Sequence, residues 1–299
     1  MVSICIATYN AEKFIYRTLE CLRNQTYKDF EVVLVDDHST DNTVNIILEF
    51  CMKDPRFKLA VNCTETHYVD SHNLSYEMGK GEYLFRMDND DIIDLDYIEF
   101  MVNYMKEHPN VDTCCVAEDF YNYVDNGIYK HGVITDDTAY CDPTPFNEDP
   151  ALIYYRACFT RTNYQYWHNN TSCLKKEFYD KYQPKYRVFS MGDGIFWMEV
   201  FCNNAVAVKI NEVKMHKVST AKNTYDNPLY RTIDDMCNFY ATRVYSQYFN
   251  KRYAPENNPS EEDVELRNVC QRTYNAVVKN LKESGEWDKI PENLKLKND

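Results

Sequence analysis

Residues 30–43 read Phe30-Glu31-Val32-Val33-Leu34-Val35-Asp36-Asp37-His38-Ser39-Thr40-Asp41-Asn42-Thr43, and their reading decides the fold. A nearly unbroken apolar run, Phe30 to Val35, predicts a strand buried on both faces rather than a half-exposed one. The run stops at two carboxylates. Asp41 is then placed to cap a helix whose inward face is predicted to carry Val44, Ile47, Leu48 and Cys51. The same order recurs outward from this stretch. Val2–Ala7 predicts a strand, and 12–24 predicts a helix with Phe14, Ile15, Thr18, Leu19 and Leu22 on one face. Phe57–Val61 and Tyr83–Met87 predict two further strands, separated by a helix near 71–79. The resulting β-α-β-α-β-α-β order implies an α/β fold, a parallel sheet covered by helices on both faces. Such sheets bind ligands outside the carboxyl ends of their strands.

Beyond these elements the sequence predicts a helix at 95–107 and a strand at Val111–Val116. Residues 118–168 are acidic and Tyr-rich, with Pro143, Pro145 and Pro150, and read as a long, partly irregular insertion. Order returns with a strand at Thr171–Leu174, helices near 175–182 and 193–203, and strands at Ala205–Ile210 and Val213–Val218. From Pro228 onward the pattern is helical. Ile233, Met236, Cys237, Tyr240, Val244 and Tyr248 share a stripe, and Ser260 is a candidate N-cap. The expected organisation is therefore an α/β domain over 1–222, in halves 1–117 and 118–222, followed by a helical extension over 223–299.

The chain has 299 residues, and 33 Lys+Arg against 47 Asp+Glu give a formal charge of −14. That balance argues against a nucleic-acid partner, which requires a basic face. A hydrophobic content of 44% argues against a disordered acidic chain. The 7 glycines form neither G-x-G-x-x-G nor a P-loop, so a phosphorylated ligand would most simply be neutralised through a divalent cation. The 12 cysteines include no C-x-x-C pair, and Cys5, Cys51 and Cys202 sit in apolar runs. With neither a signal-like leader nor an apolar stretch of spanning length, the expectation is a reduced, cytoplasmic protein without a transmembrane segment, at most peripheral at a membrane. The mixed charge of the C-terminal helices gives little attraction to anionic lipid. Packing on the α/β domain or on a second copy is expected instead.

The acids are not scattered. Asp36-Asp37 and Asp88-Asn89-Asp90-Asp91 each follow a predicted strand, and Asp193 opens a predicted helix. Any one of them reads as a helix cap or a solvated loop residue. Together, Asp36, Asp37, Asp88, Asp90, Asp91 and Asp193 put six carboxylates around one crevice, where repulsion is costly unless a cation neutralises it. The run at 88–91 continues into Ile92 and Ile93, which leaves too few oxygens for a calcium loop. Mg²⁺ or Mn²⁺ shared with substrate phosphates fits better.

Several motifs carry a resemblance. Val2-Ser3-Ile4-Cys5-Ile6-Ala7-Thr8-Tyr9-Asn10, Gln25-Thr26-Tyr27, the stretch 30–43, and Gly81-Glu82-Tyr83 leading into Asp88-Asn89-Asp90-Asp91 together resemble the family-2 inverting glycosyltransferases of the GT-A fold. The likeness is dense over the first 110 residues and looser over 168–220. It implies a nucleotide-diphospho-sugar donor, UDP-linked by preference, a divalent metal (Mn²⁺ or Mg²⁺), and a glycan or glycolipid acceptor. It also implies roles. Thr8, Tyr9, Asn10 and Asp37 would hold base and ribose, with Asp36 supporting the turn and His67 where some relatives place a base contact. Asp88 and Asn89 would lie on the ribose side, and Asp90, with Asp88, would hold the metal. His216 or Lys217 would add positive charge at the phosphates, with His216 a further metal ligand. Asp193 of Met191-Gly192-Asp193 matches the catalytic base, or else caps its helix. Trp197, one turn on, packs on a sugar or fills a core. Tyr121, Tyr123, Tyr154, Tyr155, Tyr164, Tyr166 and Trp167 are candidate acceptor contacts.

The departures are Ala7 for the proline before T-Y-N, His38 for the glycine of D-D-G-S, Ser75 for the N-x-G glycine and Gly192 for the Glu of E-D. The last leaves the acceptor class open. A sugar-phosphate nucleotidyltransferase should show a Gly- and basic-rich loop after the first strand, where this chain has Thr8-Tyr9-Asn10-Ala11. A non-catalytic module would keep the nucleotide pocket without turnover.

Overall fold

The computed structural model describes residues 1–64, 68–124, 128–131, 167, 170–186, 192–219, 275–276, 278–285 and 287–289. Four strands follow the predicted order: β1 (Val2–Thr8), β2 (Phe30–Asp36), β3 (Phe57–Val61) and β4 (Tyr83–Arg86). They lie parallel in the spatial order β3-β2-β1-β4. β1 and β2 are buried along their whole length, as unbroken apolar runs require. The connecting helices are α1 (Ile15–Arg23), α2 (Thr43–Lys53) and α3 (Tyr68–Met78).

The N-cap of α2 is Asn42, without a side-chain cap bond, and Asp41 instead braces the helix start from one residue earlier. Its Oδ1 accepts from the Thr43 backbone N–H at 2.9 Å, its Oδ2 accepts from Glu12 N–H at 3.1 Å, and Thr43 Oγ1 in turn accepts from Ala11 N–H at 2.7 Å. One carboxylate thus ties together the starts of α1 and α2. The tie also corrects the predicted face of α2. Thr43, Ile47 and Phe50 are its buried residues, whereas Leu48 is 44% exposed and Val44 and Cys51 are half-buried. The buried Thr43 hydroxyl sets the rotation of the helix.

After a short β5 (Ile92–Ile93) and α4 (Tyr97–Glu107), the sheet continues as a mixed one. β6 (Thr113–Val124) forms a hairpin with β7 (Ile128–His131), followed by β8 (Ser172–Lys175), α5 (Lys176–Tyr182), α6 (Gly192–Cys202) and β9 (Ala207–Ser219). β8 runs antiparallel between β4 and β6, β9 is parallel to β6, and β5 closes the far edge against β9.

Three expectations change here. Residues 118–124 continue β6 instead of opening an irregular insertion, so the division at 117/118 falls inside a strand. The two strands predicted at 205–218 are one, β9, with two successive register shifts against β6, the first passing over the exposed Asn211 and Glu212 and the second over Lys214. β8, antiparallel to β4, makes the sheet mixed rather than wholly parallel. The helical stripe at 233–248, Ser260, and the acceptor candidates Tyr154, Tyr155, Tyr164 and Tyr166 lie outside the described residues, as does the side chain of Tyr123, whose backbone is part of β6. Among the described residues no helix is long and apolar enough to cross a membrane.

Glycine is needed at one junction that the site depends on. A Cβ on Gly81 would lie 2.4 Å from Ser3 N and from Val2 C, so only a bare backbone passes beside β1 into β4. Gly81 N–H then donates to Ser3 Oγ at 2.7 Å.

Candidate functional site

Parallel pairing brings the carboxyl ends of β2, β1 and β4 side by side at one edge of the sheet, and two acidic groups stand there. The first is a turn built on Asp36. This fully buried carboxylate accepts from Thr8 Oγ1 (2.8 Å), Ser39 N–H (2.8 Å) and Ser39 Oγ (2.6 Å). Ser39 Oγ also accepts from Asn10 N–H at 2.9 Å, and Asn10 Oδ1 accepts from Thr40 N–H at 2.8 Å. Asn10 and His38 both adopt positive φ, 48° and 64°, so each tip of the turn is left-handed. Beside it, Asp37 donates its backbone N–H to Thr8 O (2.8 Å), and its Oδ1 accepts from Asn62 Nδ2 (3.0 Å). Asn62 also reaches Ser71 Oγ at 3.0 Å. Tyr9, 43% exposed, flanks the opening.

The second group follows β4. One carboxylate oxygen each from Asp88, Asp90 and Asp91 lies within 4.8 Å of the others. Asp91 is buried, accepting from Val218 N–H (3.2 Å) and Asn170 Nδ2 (3.2 Å). Asp88 forms an ion pair with Arg86 Nη2 (2.9 Å) and accepts from Asn170 Nδ2 (2.5 Å). Among the described residues the Asp90 carboxylate meets only its own backbone N–H. The loop is tied down by Thr18 Oγ1, which donates to Asn89 O and Asp91 O (3.0 Å each), and by Asn89 Nδ2, which donates to Ala7 O (3.2 Å).

The electrostatics separate these three acids. Burial pushes Asp88 up, but the neighbouring Arg86 and Lys217 charges prevail and hold it below the usual carboxylate range. Burial, then the Asp88 charge, push Asp90 up to about 7. Asp91 is raised well above its ordinary value by burial, then by Asp90 and Asp88. Lys217 stays protonated: burial would lower it, but Glu118, Asp91 and Asp88 raise it. Three clustered carboxylate oxygens, one of them uncommitted and reluctant to ionise alone, form a hard oxygen donor set suited to Mg²⁺ or Mn²⁺. The three residues therefore fit a divalent cation in their chemistry.

Of the predicted site residues, Thr8, Asn10, Asp36 and Asp37 share the first group, and Asp88, Asn89 and Asp90 the second. Lys217 lies beside the second. His216 does not join the three carboxylates. Its Nδ1 is 2.5 Å from Asp119 Oδ1 and its Nε2 3.0 Å from Asp94 Oδ1, because β9 pairs with β6, which sets His216 opposite Asp119, and with β5, which Asp94 follows; Tyr121 is edge-on at 5.2 Å. Trp197 is not a sugar platform. It is fully buried, 5.3 Å from both Trp167 and Phe196, in the core beneath α6, and Trp167 is equally buried. Asp193 is the second residue of α6, with its side chain outside the described residues, as is the whole of His67. Arg86, Asn170 and Asn62 were missed. An arginine ending the buried run Tyr83-Leu84-Phe85-Arg86 was a usable signal, since buried charges are partnered; Asn170 carried none.

Comparisons with known proteins agree with this geometry. A family model described as "Glycosyl transferase family 2" matches residues 3–188. An uncharacterized glycosyltransferase of Haemophilus influenzae is 27% identical over 209 residues, 67% of this chain and 60% of its own length. The Streptococcus pneumoniae glycosyltransferase GlyG is 32% identical over 41% of this chain and 40% of its own length. The Escherichia coli UDP-Glc:alpha-D-GlcNAc-diphosphoundecaprenol beta-1,3-glucosyltransferase WfaP is 32% identical over 54% of this chain and 59% of its own length. The chain thus spans 60% or less of each of these relatives. Among solved structures, S. aureus TarS 1–349 in complex with UDP-GlcNAc superposes with a TM-score of 0.63 at 18% identity, covering 98% of this chain and 82% of that one. The mannosyltransferase PcManGT of Pyrobaculum calidifontis, in complex with GDP-Man and Mn²⁺, gives 0.55 at 13% identity over 94% of this chain and 74% of that one. At these identities the structures share the fold.

Proposed function

Because the chain belongs to glycosyl transferase family 2, we propose that it is an inverting transferase moving a sugar from a UDP-sugar to a hydroxyl of a glycan or glycolipid. The observation that carries this reading is the pairing of two unlike acidic groups at one crevice: a self-satisfied turn on Asp36 and an unsatisfied cluster on Asp90. The first suits a nucleoside. Asn62 fixes one oxygen of Asp37, and a charged acceptor there suits the imino N–H of uracil. The second suits a diphosphate. A divalent cation on Asp90 and Asp88, when bound, supplies positive charge against the leaving diphosphate, and Lys217 adds a second charge from the protein itself.

Asp193, at the start of α6, takes the proton of the acceptor hydroxyl as that oxygen bonds to the anomeric carbon. The bond from this carbon to the diphosphate oxygen breaks on the opposite face. Its electron pair leaves with the diphosphate, and the configuration inverts. The glucosyl donor in the name of WfaP and the UDP-GlcNAc bound to TarS support UDP as the carrier. Replacing Asp193 with Asn tests the reading. Transfer from UDP-sugar should fall roughly 100-fold or more while UDP binding by calorimetry is retained; transfer at the unaltered rate removes Asp193 from the mechanism.

A further inference from the structure

Arg86 and Asn170 touch the acid cluster from behind. Arg86 is 5% exposed and Asn170 6%, so neither is open to a ligand in the crevice. Their hydrogen bonds run only one way. Arg86 Nη1 donates to Asn170 Oδ1 while Nη2 pairs with Asp88 Oδ1. Asn170 Nδ2 then donates to both Asp88 Oδ2 and Asp91 Oδ2. Each Asp88 oxygen therefore has its own partner, and one amide bridges two neighbouring acids. The topology explains the meeting. β8 pairs antiparallel with β4, Phe85 opposite Cys173, and extending that register past the strand ends sets Asn170 opposite Asp88. The planar guanidinium fork also lies over the Tyr186 ring, 6.0 Å from its centre, which limits its rotation.

We propose that Arg86 and Asn170 are positioning residues: they hold Asp88 and Asp91 at fixed angles, so that Asp90 and Asp88 present a preformed cation site before the donor arrives. This rests on the transferase reading above. It makes β8, a strand with no motif of its own, part of the donor site. Asn170 must be an amide, because a carboxylate would offer no donor and would add a fourth negative charge, and a bare methyl would leave Asp88 and Asp91 to splay apart.

The test titrates Mn²⁺ into protein held with UDP, and separately with GDP, and reads nucleotide binding by calorimetry, with the thermal midpoint of the nucleotide-free protein measured alongside. For Asn170→Ala the Mn²⁺ concentration giving half-maximal nucleotide binding should rise about tenfold, in line with the loss of a hydrogen bond to a charged group. Arg86→Lys keeps the charge but not the fork, and should raise it by a similar factor. A purely structural role would move the thermal midpoint and leave the Mn²⁺ requirement of the folded protein unchanged, which overturns the proposal. Should Asn170→Ala fail to fold, Arg86→Lys decides by the same criterion. If the unaltered protein binds neither nucleotide with Mn²⁺, the transferase reading itself fails and the proposal falls with it.

Discussion

The acids of β2 and the acids after β4 solve the same problem in opposite ways. At one end of β2, Glu31 is buried yet fully partnered: it accepts from Ser3 Oγ (2.6 Å) and Lys80 N–H (2.7 Å) and pairs with Lys58. At the other end, Asp36 is satisfied by three donors, none of them charged. After β4, three carboxylates converge, and their pKa values diverge, with Asp88 held down and Asp90 and Asp91 pushed up. Acids of the first kind stabilise the fold without help. Those of the second kind carry a repulsion that a bound cation would relieve, a pattern found at sites more than in scaffolds.

The largest expected effect follows from the second group. Asp90→Asn should lower transfer roughly 100-fold or more. In chelator it should leave the thermal midpoint unchanged or raise it, because a neutral amide removes a charge that its surroundings oppose. A clear loss of midpoint in chelator would erase the distinction between the two groups. Glu31→Gln should do the reverse, costing about 2 kcal/mol in urea unfolding, with the exposed Lys58 arm discounted for solvent screening, and leaving nucleotide binding intact.

Acidification sharpens the same contrast. Burial pushes Glu31 up, but the Lys58 bond, then those from Ser3 and Lys80, hold its pKa below the ordinary value. The unfolded chain therefore binds the proton first, and stability rises with pH across that window. The contribution of Glu31 is complete above its unfolded pKa of about 4.3, and it is lost as pH falls through the folded value. The acid limb of the unfolding midpoint should flatten in Glu31→Gln; an unchanged limb contradicts the assignment. The smallest effect concerns the turn. His38 sits at φ 64°, a conformation that costs a side chain about 1 kcal/mol. His38→Gly should stabilise by no more than ~1 kcal/mol, part of the relief being offset by the freer unfolded chain. A destabilisation would show the histidine side chain to be a working part of the turn.

What could be read from the sequence tracks how local the governing interactions are. β1, β2 and β4 are buried runs ended by polar residues, and the acids after β2 and β4 fall where the strand order puts them. The face of α2 was misread because apolar residues outnumber the places available, and a bond from Ala11 to Thr43, 32 residues apart, chose the rotation. β6 was truncated because its Tyr- and acid-rich end is made a strand by pairing with β9, a segment almost 100 residues on. Trp197 offered equal grounds for core and for sugar contact, and the neighbouring aromatic residues Trp167, Phe196 and Phe201 decided for core. Asn170 could not be found at all, since a lone Asn acquires its role only when β8 docks on β4.

On the function proposed above, the cluster after β4 is completed by a cation and a diphosphate, whereas the Asp36 turn is complete by itself. The most direct test of this contrast is the unfolding midpoint of the unaltered protein with UDP, with Mn²⁺, and with both. Ligands that bind the native state raise that midpoint by mass action. The account predicts a much larger rise for UDP with Mn²⁺ than the sum of the two alone. Equal rises with and without Mn²⁺, or none with any nucleotide, would contradict it.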